Sequence, residues 1–451
     1  MFFHSRRRTS RSRARGIARV AVAIIIGFPF CAGAQGVVAP SRDTLSLGDV
    51  LALAQRASPR IDAARAGTHA AEARIPGASR WPDPTLQFGF MNYELPGLRP
   101  MDVVGMRQLQ LMQTVPTGGK LRIAGAVERA RADAASTRID DASLQVRAQA
   151  AMAFYDLYAA DRGLIVARES RRVLEDINAT AASMYEAGDG RQADVLRARV
   201  ELARMDEDIV RMETMRSATA ARLNALLGRT SDTNVGTPAL SAFLASVPPL
   251  DSLDAMADRH RPALRAAGQE VVAATSSAEL ARRQIWPDLQ VGVQLARQPG
   301  AGTKPMASLM FGASLPIFAK DRQYQMRDEA DAMRAMAAAD LATMRIETRA
   351  DVADAFTKVM RARRLIELYR STVLPQSQAS AASSLAAYRS STVNLMTLLD
   401  AQMTVKSYRQ DLITLEADEG KAWAELEMLT GCSFVGTSAK APVCSSAGGS
   451  Q

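Results

Sequence analysis

Residues able to do chemistry are few, and their spacing argues against an enzyme. Past residue 34 the histidines are His69 and His260, which supply neither an HExxH zinc motif nor a histidine-centred triad. Both read as structural groups in helical surroundings. Gly118-Gly119-Lys120-Leu121 looks like the end of a nucleotide-binding phosphate loop. It lacks the leading glycine and the hydroxyl residue after lysine, so a strand-to-helix turn is the better reading. Cys432 and Cys444 are the cysteines beyond residue 34; in an oxidising compartment they can form one bridge, and otherwise they are two thiols in a frayed tail. The 21 methionines offer thioethers that suit soft ions such as Cu(I). They are scattered along the chain, and core filling explains most of them. No catalytic residue, resident metal or cofactor is expected.

Charge excludes another class. The 451 residues carry 56 basic and 47 acidic groups, a formal +9. Seven of the basic groups are arginines between Arg6 and Arg19, and without them 49 face 47. A basic domain for nucleic acid is thereby set aside. Those arginines precede an apolar run, Val20 to Phe30, and the small residues Ala32-Gly33-Ala34. This is the pattern of an export signal over 1–34, with the mature chain starting at Gln35. Residues after Arg6-Arg7 do not fit a twin-arginine signal, and Phe28-Pro29-Phe30 is a poor lipidation context for Cys31. No other segment holds the roughly 18 uninterrupted apolar residues of a membrane helix. Any membrane span must therefore be built from strands.

The elements that position these residues come in two copies. Trp81-Pro82-Asp83 recurs as Trp286-Pro287-Asp288, Leu86–Phe90 as Leu289–Val293, and Val115-Pro116 as Leu315-Pro316. Further on, Tyr185 answers Tyr388 and Leu223–Gly228 answers Leu426–Gly431, in the same order. Repeats of 59–228 and 262–431 follow, with a segment 35–58 before them, a linker 229–261 between them and a tail 432–451. Each copy opens with an alanine-rich helix (59–78; 262–285) that the Trp-Pro-Asp proline stops. A strand pair comes next (84–115; 288–315). Lys120 to Glu186 then holds no proline and Asp321 to Tyr388 only Pro375; either stretch, as a helix, would run about 100 Å. Turns at 187–191 and 389–393 lead into return helices, 193–227 and 394–429. In the strands, Leu86, Phe88 and Phe90 alternate with Gln87 and Gly89, and Leu309, Phe311 and Leu315 with Ser308, Gly312 and Ser314. That period of two fits a barrel strand with lipid outside and water inside, or else a half-buried sandwich strand.

Four strands cannot close a barrel, and an open edge in lipid leaves backbone groups unpaired. Three chains sharing one wall give 12 strands, within the range of bacterial barrels; two would give eight, a barrel filled by its own side chains. The expected fold is mainly α with a small β part: long antiparallel coiled-coil-like helices plus four β-strands per chain, in a homotrimer. The competing reading is a soluble periplasmic coiled-coil scaffold or adaptor, with the strands facing water.

The repeat, the strand pairs and the stretches Tyr185-Glu186-Ala187-Gly188…Asp194-Val195-Leu196 and Tyr388…Leu398-Leu399-Asp400-Ala401 resemble those of the TolC family of outer membrane efflux proteins. The likeness runs over nearly all of the chain after residue 34. It implies a trimeric 12-stranded β-barrel in outer membrane lipid, continued by a periplasmic α-helical barrel. It further implies a passive channel for small toxic substrates, served by a periplasmic adaptor and an inner-membrane pump. Gln113-Thr114-Val115-Pro116 to Gly119-Lys120-Leu121 looks like the heavy-metal branch, so metal cations and drugs both stand as cargo. The Tyr-x-x-Gly stretches mark the periplasmic tips: Ala187, Gly188, Asp189, Gly190, Arg191 and, in the second copy, Ser390, Ser391 and Thr392 would meet the adaptor. Ser391 stands where glycine is usual, so the second loop is expected to be shaped differently. A periplasmic gate is implied at Asp400, whose three copies would form an acidic ring, with Thr397, Asp194 and Arg197 beside it. Asp194 and Arg197 share a helix face, placed to form links that hold the tip closed.

Overall fold

The computed structural model describes residues 44–434 and 443–444, without 95, 98, 102–104, 241–242, 244–245, 299–301 and 303. The export signal expected over 1–34, and Cys31 within it, lie outside the described residues. The first repeat and the segment before it comprise β1 (Thr44–Ser46), α1 (Leu47–Ala57), α2 (Pro59–Glu72), α3 (Arg74–Ser79), β2 (Thr85–Met91), β3 (Tyr93–Glu94), β4 (Arg99–Pro100), β5 (Met106–Val115), α4 (Lys120–Glu186) and α5 (Gln192–Leu226). After them come β6 (Thr237–Ala239), α6 (Leu250–His260), α7 (Pro262–Arg283), β7 (Leu289–Arg297), β8 (Met306–Ala313), α8 (Gln323–Leu368), α9 (Leu374–Arg389), α10 (Leu395–Thr430), β9 (Cys432–Ser433) and β10 (Val443–Cys444).

Helix α4 runs unbroken for 67 residues, from the Gly118-Gly119 turn to the turn at Gly188, with no proline to interrupt it. Its first part lies beside α3 and α7, where Arg138 pairs with Glu270 at 2.8 Å. Its later part lies beside α5 and α10. Three apolar clusters hold this arrangement. Phe154, Tyr155 and Leu157 meet Leu47, Val50 and Leu223. Leu174 and Ile177 meet Val195, Leu395 and Leu398 nearer the tips. Trp423 and Phe434 meet Leu253 and Val352. The linker adds β6 as a parallel partner of β1, and a disulfide joins Cys432 to Cys444 across the β9–β10 pair.

Two details depart from the sequence reading, and the strand registers add a third that the sequence did not address. The helix expected over 59–78 divides at Ala73 into α2 and α3, because Pro76 cannot donate to the carbonyl of Glu72. The second long helix is interrupted by a π turn, Tyr369–Val373. Pro375 has no N–H for the carbonyl of Ser371, and the Leu374 N–H reaches back five residues to Tyr369 O. Finally, the two strand pairs are out of step. Leu86 faces Leu111 in one, but Leu289 faces Ala313 rather than Phe311 in the other. An even shift keeps every side chain on its own face.

Candidate functional site

Strands β2, β5, β7 and β8 form one antiparallel sheet in that order, with β2 and β8 as its edges. The register lines up Leu86, Leu111, Val293 and Leu309 across all four strands, and these side chains are 64%, 48%, 44% and 71% exposed. The next row, on the opposite face, is Gln87, Gln110, Gln294 and Ser308. Gln294 Nε2 donates to Gln108 Oε1 at 2.6 Å. A sandwich strand would bury its apolar face; here that face is open and the amides bond one another on the other side. Phe88, Phe90 and Tyr93 stack edge to face at one end of the apolar face. At the other end Trp81, Trp286, Ile317 and Phe318 are exposed. Two such belts at the ends of an apolar band fit the two interfaces of a bilayer.

The turn between β5 and α4 ties the two repeats together. Gly118 and Gly119 take φ of 66° and 72°, and Lys120 is buried just beyond them. Its Nζ donates to Trp286 O and to Asp288 Oδ1, both at 2.7 Å. The lysine is thus spent on the Trp-Pro-Asp motif of the other copy rather than on a phosphate. Sequence reading recognised a turn here and missed its partner.

At the far end of the helices the two tips fold alike. Ala187, Gly188 and Asp189 donate to Ser183, Tyr185 and Met184 carbonyls; Ser390, Ser391 and Thr392 donate to Ala386, Tyr388 and Ala387. The expectation that Ser391 reshapes the second loop is overturned: Ser391 takes φ of 56°, as Gly188 takes 82°. Hydroxyls support the strained position, Thr392 Oγ1 and Ser390 Oγ both donating to Ala387 O. Ser391→Gly should stabilise the turn by about 0.5–1 kcal/mol, net of the freedom glycine gains when it opens. Amide exchange at residues 391 and 392 should slow accordingly; unchanged exchange would mean the hydroxyls already offset the strain.

Residues Ala187, Gly188, Asp189, Arg191, Ser390, Ser391 and Thr392 are exposed, and Gly190 is half-buried. Asp400 and Arg197 are exposed on α10 and α5. Thr397 N and Oγ1 both donate to Asn394 Oδ1, the cap of α10. Asp194 and Arg197 make no ion pair with each other among the described residues. Asp194 instead lies near Tyr388, whose hydroxyl is buried without a hydrogen-bond partner. Burial, and then the negative charge of Asp194, push that phenol above its usual range. Tyr185, the counterpart in the first copy, is 47% exposed against 3% for Tyr388. Two further links escape sequence reading because their partners lie far apart in the chain: Lys406 on α10 pairs with Asp208 on α5, and Arg409 pairs with Glu169 on α4. Among the described residues no cluster of His, Cys, Asp or Glu could hold a metal, and no helix is long and apolar enough to cross a membrane.

Comparison with known proteins adds to this geometry. The profile of the outer membrane efflux protein family matches residues 50–229 and 255–432, nearly the two repeats. Curated proteins give no match. Among solved structures, the outer-membrane channel OprN is 19% identical with a TM-score of 0.74, over 85% of this chain and 89% of that one. VceC from Vibrio cholerae is 17% identical with a TM-score of 0.73, over 86% and 96%. The open state of the MtrE channel from Neisseria gonorrhoeae is 16% identical with a TM-score of 0.70, over 85% and 88%. At such identities the likeness is one of fold.

Proposed function

Because this chain belongs to the outer membrane efflux protein family and is an efflux channel of the outer membrane with a helical periplasmic extension, we propose that three copies close one 12-stranded barrel. The observation that carries the reading is the four-stranded sheet with both edges unpaired, one face apolar and exposed and the other lined with amides. A sheet of that kind needs neighbours to satisfy its edges in lipid. Native mass measurement in detergent should return a trimer, and a monomer soluble without detergent would refute the proposal.

Residues 1–34 serve as the export signal in this reading, and the repeats and linker keep the boundaries given above. Transport is passive conduction of metal cations or drugs. Its driving force comes from an inner-membrane pump through a periplasmic adaptor seated on Ala187–Arg191 and Ser390–Thr392. Asp400 forms the gate, three carboxylates converging on the axis, with Thr397 beside it on the same helix and Asp194 closing against Tyr388 from the next hairpin. Arg197 points its charge to solvent in one chain and is the group through which a neighbouring copy would be held. Removing the carboxylates should widen and neutralise the constriction. Asp400→Ala is therefore expected to raise single-channel conductance in planar bilayers by roughly twofold or more and to weaken cation preference; an unaltered conductance takes Asp400 out of the gate.

A further inference from the structure

Resting on the trimeric barrel above, we propose that its lumen wall carries a thioether site for a soft monovalent cation, Cu(I) or Ag(I), built from Met112 and Met310. Sorting the strand positions by face makes the case. Met91, Met106, Met112, Met306 and Met310 all fall on the face of most of the glutamines, while the opposite face, mainly leucine, valine and phenylalanine with Arg107, Gln113 and Arg297 toward its ends, holds no methionine. A methionine chosen for its apolar bulk belongs in a core or against lipid. Here the thioethers sit where water runs, and the lipid face has none.

The register then brings two of them together. Met112 faces Gly292, and Gly292 faces Met310, so the two methionines flank a position with no side chain. Strands about 4.8 Å apart place their Cα atoms roughly 10 Å from each other. Two methionine side chains leaning inward can span that gap with an ion held between their sulfurs. Met112 Cγ lies over Gly292, 3.0 Å from where a Cβ would stand, while its sulfur accepts from Gln110 Nε2, a bond that an ion at the site would displace. No charged residue occupies this face among the described strand positions. Hard cations thus find no carboxylate, whereas soft ions find sulfur. Threefold closure repeats the pair around the wall, and neutral thioethers bind loosely enough to release an ion in transit.

Ag(I), which is redox-inert, is the probe. Calorimetric titration of the detergent-purified full chain should show silver uptake that weakens at least tenfold in the Met112→Leu/Met310→Leu variant, Leu being close to Met in volume. Met205→Leu, in the buried core near the tips, should leave uptake unchanged. X-ray absorption of the bound silver should show sulfur neighbours. Equal uptake by the double variant, or oxygen and nitrogen neighbours alone, would overturn the site. Trimer mass and bilayer conductance are read on the same samples. A conducting trimer that takes up no silver refutes the thioether site alone; a preparation neither trimeric nor conducting refutes the barrel reading beneath it.

Discussion

Val293→Arg is expected to abolish the heat-resistant trimer and its recovery in the outer membrane, whereas Gln294→Arg, one residue along, should spare both. Val293 is the middle residue of β7 and lies in the row of Leu86, Leu111 and Leu309. In the proposed barrel this position faces lipid near the bilayer centre, where an arginine would cost about 2–4 kcal/mol in each chain, a cost that closure by three chains would meet three times. Gln294 points the other way, toward Gln108, and a charge in water at that site changes selectivity rather than assembly. The pair also separates the membrane reading from a water-facing scaffold. Val293 is 44% exposed in the single chain, so in water its replacement by a charged residue would be nearly neutral. Membrane fractionation and unheated gel migration give the readout. Equal behaviour of the two variants would end the barrel interpretation.

The contrast between these neighbours explains what the sequence could disclose. Faces and lengths are local: alternation placed Val293 and Gln294 on opposite sides, and the glycine turns at 118–119 and 188–190, with no proline between them, marked both ends of α4. Register is not local. The repeated motifs name equivalent strands but not their pairing, and the two ladders differ by two residues because pairing is settled by neighbouring strands. Ser391 misled for a related reason. Its type disfavours positive φ, but the backbone bonds of the tip and two nearby hydroxyls over-determine the turn. At the gate, sequence singled out Asp194 but gave no sign that Tyr388 would be its neighbour. Methionine was discounted because its spacing along the chain looks random; only the pairing of strands shows its bias to one face.

Lys406→Met should open the periplasmic end without unfolding the protein. In the proposed channel, opening would part the α9–α10 hairpin from α4 and α5. Lys406–Asp208 and Arg409–Glu169 bridge those hairpins nearest the tips, with Lys421–Asp156 and Arg147–Glu427 joining α10 to α4 farther from them. The first is the stronger, since its side chains are only 12% and 19% exposed, against 35% and 45% for the second. Losing one partner of a buried pair ordinarily strands a charge at 3–5 kcal/mol. Asp208 escapes that penalty because Arg211 lies 2.5 Å away on its own helix. What disappears is the tie between hairpins, about 1–2 kcal/mol per chain. If the three chains open together, the closed state loses about 3–6 kcal/mol, enough to shift the balance by a factor of roughly 10² to 10⁴. The apolar packing of Leu395 and Leu398 on Val195 and Ala198 is untouched, so the variant should gate open more often rather than stand permanently open. Bilayer recordings should show a large rise in open probability, with a melting temperature within a few degrees of the parent. Lys406 and Asp400 lie about 9 Å apart along α10, far enough for their effects to be nearly additive in free energy. The Lys406→Met/Asp400→Ala double variant should therefore combine frequent opening with the wider conductance, and a double variant no more open than Asp400→Ala alone would show that the hairpins are not what moves.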